Sequence, residues 1–515
     1  MTSDIIAIYG LHGESLSCPS DTITSYWAAM GAGGDGFVAA LQITSDDTMV
    51  CCPTGVLDYH SSEQFIVADH TAAELREQDA GKSFYSTVLD EDNQPTGEYG
   101  EDKPWVGNPK KNDHLYFPKL SEVLQLFGRR TKIFLLFPKV EKPSVVNTMA
   151  DQTMADLKKY GLNTRVTVVA QKSVCDRFQD YSPSTPLALI ADSSLTYTQN
   201  MQLAKDTGAT LSYINVEDLD VSEAQHSEFN DIKLLLTSKK HPYAPTLDQF
   251  RHIKSLDNLA GLCFMGVEQC VNLETPPAQV LHDDFSAPKI DNQIWSAGYS
   301  HANTNTTIKL EDNHFVLDII SGGVYSGGAV VTVLPIHGRF DARVDFVVDH
   351  PHQGTTFEMA AISQDPGYFH IDNSDLGSTN VNLTFDVHGA PPYASSERDE
   401  DDGFRIGWNN GFNLTKVDED WNSSSVNMYN KYGRDVGYGP GDSPTGTLRL
   451  LRNGPVFNSY YKDKFNKAWV CSGSVLVANL GPDIHIRLAG KHWPKYGDEA
   501  PGNRIAFTNF HLLQF

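Results

Sequence analysis

The sequence predicts a multidomain chain of 515 residues, an α/β half followed by an all-β half. Three observations predict it. From Ile5 onward, apolar β-branched runs alternate with amphipathic stretches, the order expected of βα units on a parallel sheet. A break follows at Glu274-Thr275-Pro276-Pro277-Ala278. Beyond it helical periodicity disappears, and short alternating runs are separated by Gly, Asn and Asp turns. The expected domains are therefore residues 1–278 and 279–515.

Ile5-Ile6-Ala7-Ile8-Tyr9 reads as a buried strand that delivers the loop Gly10-Leu11-His12-Gly13 at its carboxyl end. Pro19-Ser20-Asp21-Thr22 opens a helix over 23–30, because Ser and Asp before an apolar-periodic run mark a helix start. Gly31 to Gly36 ends it. A second strand runs from Phe37 to Ile43, and a third, Met49 to Cys52, follows a Ser45-Asp46-Asp47-Thr48 turn. Further strands are expected at Ile133–Phe137, Val166–Ala170, Leu187–Ala191, Leu211–Val216 and Ile232–Leu236, with helices from Pro118 and over Val145–Tyr160. The polar segment from Leu89 to His114, with Trp105 its largest apolar residue, reads as a long loop.

These residues resemble the opening of the glycerophosphodiester phosphodiesterase family, whose pattern runs His-Arg-Gly, Pro-Glu-Asn-Thr, Asp-Gly-x-Glu-x-Asp-x-x-x-Thr and His-Asp. The matching text here is Leu11-His12-Gly13, Pro19-Ser20-Asp21-Thr22, Asp35 to Thr44 with its Asp35-Gly36 start, and Pro53-Thr54. Leu57-Asp58 and the segment Thr71 to Phe84 fix the register. The resemblance covers about residues 4 to 278 and implies a (β/α)8 TIM-type barrel. It also implies an acid and a base at the two His positions, a phosphate contact at the Arg, and a divalent cation held by Glu and Asp. Those positions here hold Leu11, Pro53, His12, Val38 and Ala40, so none of the five is retained. A further acidic ligand expected before the Lys of a Glu-x-Lys strand falls near Phe137, and only Lys139 survives. A hard cation needs oxygen ligands that valine and alanine lack. Without it, metal-assisted attack on a phosphodiester has neither charge nor a positioned base. The resemblance thus argues for the fold and against the activity, with no metal expected in the barrel.

In such a barrel, strand ends face the mouth, which makes His12, Lys139, Gln171, Lys172, Asp192 and Asn215 the candidate pocket residues. Together they offer a polar, partly basic lining suited to a carboxylate, a phosphate or sugar hydroxyls.

The second half reads as an antiparallel β-sandwich, its clearest strands falling at 315–320, 329–334, 340–346, 381–385, 446–452, 457–462, 484–488 and 505–510. Asp283-Asp284-Phe285-Ser286, the hairpin from Leu451 to Tyr461 and the closing strand at Ile505 resemble concanavalin-like and laminin-G-like sandwiches, which are jelly-roll, lectin-like folds. The strand Phe357 to Ile362 lies where related glucanases carry Glu-x-Asp-x-x-Glu, yet it holds a single acid, which argues against that chemistry. Acidic runs at Glu397–Asp402 and Asp418–Trp421 offer a structural Ca2+ site beside an aromatic ring, against the plainer reading of solvated loops. Sequons stand at Asn305, Asn382, Asn413 and Asn422.

The formal charge is -25, and both halves are acidic, which disfavours nucleic acid and anionic membrane surfaces as general partners. The seven cysteines lack zinc-type spacing and read as buried free thiols. No run of about 18 apolar residues is available for a membrane span, and Met1 leads directly into the first strand. The expectation is a soluble protein, cytoplasmic or a mature form without its leader. Three functions follow. One is a catalytically degenerate, phosphodiesterase-like barrel beside a lectin-like domain that binds a glycan or a carbohydrate conjugate. The second is a hydrolase of a glycan or phosphodiester with a different constellation at the mouth. The third is a metal-dependent phosphodiesterase with replacement ligands. Neither the compartment nor the oligomeric state is legible.

Overall fold

The computed structural model describes residues 7–57, 64–82, 84–85, 87–90, 95–99, 114–139, 142–219, 223–224, 229, 231–240, 242–299, 305–319, 326–349, 355–362, 379–386, 403–410, 445–463, 466–477, 480–492 and 502–515. The chain divides into two compact units, Met1–Glu98 with Trp105–Pro276 and Tyr99–Pro104 with Pro277–Phe515.

In the first unit eight parallel strands close on themselves: β1 (Ala7–Leu11), β2 (Gly36–Ile43), β3 (Lys132–Leu136), β4 (Val166–Ala170), β5 (Leu187–Ile190), β6 (Leu211–Asn215), β7 (Lys233–Thr237) and β8 (Leu259–Phe264). Each pairs with its successor, and β8 pairs with β1. Closure removes the unpaired edges that an open parallel sheet would expose. Helices α1 (Ile23–Gly31), α2 (Ala72–Arg76), α3 (Leu120–Phe127), α4 (Pro143–Tyr160), α5 (Lys172–Tyr181), α6 (Tyr197–Asp206), α7 (Leu247–Lys254) and α8 (Val267–Glu274) lie between or after the strands. Thr22, Thr71, Thr196 and Thr246 cap α1, α2, α6 and α7 with reciprocal side-chain hydrogen bonds to the third helical residue. A cap of this type contributes about 1 kcal/mol. Inside the barrel Tyr9, Leu11, Val38, Phe134, Val169, Ala188, Leu235 and Cys263 form one apolar cluster, completed from β6 by Leu211 and Tyr213.

The strand at Met49–Cys51 pairs antiparallel with β2, Leu41 opposite Cys51, and is not a barrel stave. The intervening turn is too short for the dozen-residue crossover that a parallel pair requires. Strand β8 was not anticipated, because Leu-Ala-Gly-Leu-Cys-Phe contains a glycine and no β-branched residue. Within the expected loop from Leu89 to His114, Thr87–Leu89 and Pro95–Tyr99 pair as a two-stranded sheet, and Trp105 lies outside the described residues. Among the described residues, no helix is long and apolar enough to cross a membrane. All seven cysteines are buried and none forms a disulfide.

The second unit holds β9 (Ala278–Asp283), β10 (Trp295–Tyr299), β11 (Thr306–Glu311), β12 (His314–Ile319), β13 (Ser326–Thr332), β14 (Phe340–Asp349), β15 (Thr355–Ile362), β16 (Thr379–Asp386), β17 (Gly403–Asn410), β18 (Thr445–Asn453), β19 (Val456–Asp463), β20 (Asn466–Leu476), β21 (His485–His492) and β22 (Asn503–Gln514). They form two antiparallel sheets. One is ordered β11-β12-β22-β14-β18-β19-β20, with β9 also on β22, and the other β10-β13-β21-β15-β16-β17. Alternate residues of both, such as Phe340, Ala342 and Val344 on β14 and Phe357 and Met359 on β15, share one hydrophobic cluster. Phe346 and Phe357 meet across it with ring centroids 4.7 Å apart. The acidic runs at 397–402 and 418–421 lie outside the described residues.

The pairing of β2 with β3 has a tight point. Gly36 stands opposite Lys132, and a Cβ there would come within 2.2 Å of the Lys132 carbonyl oxygen. Gly36→Ala should therefore cost about 1–3 kcal/mol, read as a lower urea midpoint, and an unchanged midpoint would contradict this account of the pairing.

Candidate functional site

The mouth is organised by the segment that follows β1. His12 continues the ladder, donating its N–H to the Val38 carbonyl at 2.8 Å, and then turns with φ 61°. Gly13 follows at φ 84°, and a Cβ there would meet Ser25 Oγ at 2.5 Å, so the Gly is required by both conformation and space. Asp21 also lies in the left-handed region at φ 53°. Two non-Gly residues held there are sparsely populated conformations that surrounding contacts must enforce. Those contacts are present. The Asp21 N–H donates to the His12 carbonyl at 2.9 Å, and Ser25 Oγ donates to the same carbonyl at 3.2 Å.

Asp21 is fully buried and serves three partners. Tyr26 donates its hydroxyl at 2.6 Å, Ala40 its backbone N–H at 3.0 Å, and His12 Nδ1 lies 2.7 Å from the second oxygen. Nδ1 is the nitrogen that faces the carboxylate, and in the neutral imidazole with Nδ1 donating to it Nε2 is the acceptor. The His12 side chain is 14% exposed. It is thus an oriented imidazole at the end of β1, supported by a carboxylate that sequence reading had not connected to it. The signal lay in Pro19-Ser20-Asp21-Thr22, but the pairing needs the backward fold of the intervening loop.

The other sequence-derived candidates are spread around the rim. Lys139 and Asp192 are exposed beyond β3 and β5. Two hydrogen bonds from Ser194, and to a smaller extent the Lys139 ammonium, hold the Asp192 carboxyl below its ordinary range. Gln171 is half-buried and precedes α5. Lys172 is the first residue of α5, and its ammonium bonds Asp176 one turn on at 2.5 Å. Asn215, ending β6, donates to Asp218 Oδ2 at 3.1 Å. Among the described residues, the interaction joining members of this set is the electrostatic one between Lys139 and Asp192.

A divalent cation, as the resemblance implies, does not fit. Leu11 and Val38 belong to the apolar interior cluster. Ala40 offers no side-chain ligand, and its N–H is committed to Asp21. Phe137 leaves the mouth to pack edge-on against Phe178 of α5 at 6.1 Å. Among the described residues, no group of three or more His, Cys, Asp or Glu side chains is placed to hold a metal.

One further acid was not anticipated. Glu14 is 2% exposed and accepts the Val267 N–H at 2.7 Å, at the start of α8. Burial, then the neighbouring Glu268, pushes its carboxyl up to about 8. Because the folded value lies above the ordinary 4.5, its stabilising contribution is complete below about 4.5 and is lost as pH rises through about 8. Glu14→Gln should remove a slope of up to about 1.4 kcal/mol per pH unit across that window. Urea unfolding at several pH values checks this, and parallel curves for the two proteins would refute it. Asp21→Ala should cost about 3–5 kcal/mol, since Tyr26 and Ala40 then keep buried donors without an acceptor. His12→Gln should cost much less in the same assay.

No protein-family model matches the chain. A glycerophosphodiester phosphodiesterase of Bacillus subtilis is 27% identical over 162 residues, 32% of this chain and 49% of that enzyme, so the chain spans about half the length of the curated relative it matches. Among solved structures, an Oleispira antarctica phosphodiesterase in complex with the product sn-glycerol-3-phosphate aligns at 13% identity and a TM-score of 0.40, over 52% of this chain and 96% of that one. A glycerophosphodiester phosphodiesterase of Thermotoga maritima aligns at 14% and 0.38, over 52% and 99%. The barrel is seen directly in the strand pairing. The first half of the chain is thus a closed eight-stranded parallel barrel, similar in sequence to the glycerophosphodiester phosphodiesterases.

Proposed function

We propose that the barrel is a phosphodiesterase-like support without phosphodiesterase activity, and that the chain works by binding. Its ligand is a carbohydrate or a glycan-linked small molecule, met by a lectin-like, concanavalin- or laminin-G-like second unit. The observation that carries the first part is the packing of Leu11 and Val38 into the interior cluster beside Phe134. Where the relatives' pattern places an acid and a metal ligand, this chain buries hydrocarbon, and a buried aliphatic side chain contributes about 1.5–3 kcal/mol to folding. That replacement converts a site into core. The second part is supported by two antiparallel sheets that share one hydrophobic core, the layered plan of a sandwich.

A second reading has one observation in its favour. His12, held by Asp21, is an imidazole with a positioned acceptor nitrogen, which is what a metal-independent hydrolase would need at the mouth.

One experiment separates them. Glycerophosphodiesters and an aryl phosphodiester are offered with Ca2+, Mg2+, Mn2+ or EDTA, alongside a glycan array with and without Ca2+. The expected result is no turnover above buffer in any arm and saturable glycan binding. EDTA-sensitive turnover would overturn the proposal. Metal-independent turnover abolished in His12→Gln would replace it with the second reading.

A further inference from the structure

The outer face of the eight-stranded sheet carries a row of side chains at right angles to its strands. In β14, Phe340, Ala342 and Val344 point into the core, so Asp341, Arg343 and Asp345 point away from it. The same alternation puts Arg449 of β18, Tyr460 and Lys462 of β19, and Trp469 of β20 on that face. Register aligns them. His282 stands opposite His511, His511 opposite Arg343, Arg343 opposite Arg449, and Arg449 opposite Tyr460. From β9 to β20 the row crosses six strands, about 24 Å at the usual spacing.

Its charge is unusual in a protein of formal charge -25. Like charges directly opposite on adjacent strands repel. Here Arg343 and Arg449 are opposed, and Asp341 holds both, at 2.6 and 2.7 Å. Three cations surround one indole: the Trp469 centroid lies 5.6 Å from Arg343, 5.3 Å from Arg449 and 4.7 Å from the Lys462 ammonium. Lys462 has no carboxylate partner among the described residues. Burial, then the Arg343 and Arg449 guanidiniums, holds its ammonium below the usual lysine range. The next carboxylate along β14, Asp345, is engaged by Thr447 at 2.6 Å and Asn509 at 3.0 Å. Among the described residues the cluster sets three cations against the Asp341 and Asp345 carboxylates, and Lys462 is left without a carboxylate of its own. Trp469 and Lys462 are partly exposed, and the Arg343 side chain is 34% exposed.

We propose that this row is a binding site for an acidic saccharide, a sugar ring stacking on Trp469 with its carboxylate or sulfate on Lys462 and Arg343. The inference rests on the carbohydrate-binding reading above and specifies its ligand class and its place. The indole supplies an apolar platform for a ring face. The cations supply the anion contact, Arg343 with a planar fork and Lys462 as a point charge. A polymer with repeated acidic units would follow the row toward His511 and His282, whose rings stack 4.3 Å apart. Non-specific attraction of polyanions is disfavoured by the protein's overall charge, so binding would report this local arrangement.

The test uses the full chain and calorimetric titration with oligogalacturonate for carboxylates, dextran sulfate for sulfates, neutral dextran, and sodium sulfate. The expected result is saturable binding of an acidic saccharide, weakened at least tenfold in Lys462→Gln and in Trp469→Ala, partly restored in Lys462→Arg, and lessened by salt. Comparison of the two acidic arms identifies the anionic group. Urea midpoints confirm that the variants fold, and Lys462→Gln, at a partly exposed position, is the milder change. Neutral dextran binding as tightly as the acidic polymers, sodium sulfate competing at equal concentration, or acidic binding unaltered in both variants would overturn this site and leave carbohydrate binding standing. Failure of every saccharide on the array and in titration would overturn both.

Discussion

The pairing of β1 with β2 is the constraint on which the mouth of the barrel depends. Tyr9, Gly10 and Leu11 pair with Gly36, Phe37 and Val38, and the His12 N–H extends the ladder by one more bond. That extension delivers the chain into the left-handed turn at His12 and Gly13. The buried Asp21 carboxylate then ties the returning loop to β2 through Ala40 and to α1 through Tyr26. Sheet closure, loop shape and imidazole orientation are thus one structure. Leu11 and Val38 face each other in this register, and Ala40 lies two residues further along β2, where its N–H meets Asp21.

Much of the barrel was legible because its determinants are local. Val166–Ala170 is a β-branched run of strand length, and Pro19 to Thr22 marks the start of α1; Thr71, Thr196 and Thr246 carry a capping signal, completed three positions on, that the sequence reading did not use. Strand β8 was not legible, since a Gly-containing apolar stretch gains its conformation from partners on both sides rather than from propensity. The candidate pocket residues were named as residue types at strand ends, and their hydrogen-bond partners were not legible. The i,i+4 spacing of Lys172 and Asp176 is a local signal for their pairing, but nothing in local sequence says that His12 meets Asp21 across nine positions, both residues in the left-handed region. In the second unit alternation showed which face of β14 is buried, but the alignment of Arg343 with Arg449 and His511 depends on register between strands far apart in sequence.

The two units place polar groups by different logic. The barrel's interior cluster is apolar, its buried carboxylates Asp21 and Glu14 are not part of that cluster, and Lys139, Asp192 and Asp218 remain exposed and solvent-screened at the rim. The eight-stranded sheet carries buried charge on the face opposite its core, where Arg449 is 1% exposed and its carboxylate partner Asp341 equally so. Burial of that pair is tolerable because both groups are multiply hydrogen-bonded, with the Asp341 carboxyl drawn down to about 2 despite the opposing effect of burial, by Arg449 and Arg343.

Strand β22 pairs along one side with β14 and shares its other side between β12 and β9. It is the final element of the unit and also the staple of its larger sheet. The barrel can grow by adding each strand to its predecessor, with closure as the single long-range step. The larger sheet cannot, because β9, β12 and β14 wait for a common partner made some 150 to 230 residues later, and loop closure over such distances is slow. During synthesis these earlier strands would stand with unpaired edges while the barrel was already complete. The larger sheet, whose outward side holds the row of cations, therefore acquires its shape only once β22 is made, and loss of Asn503–Gln514 would remove a central strand rather than an edge.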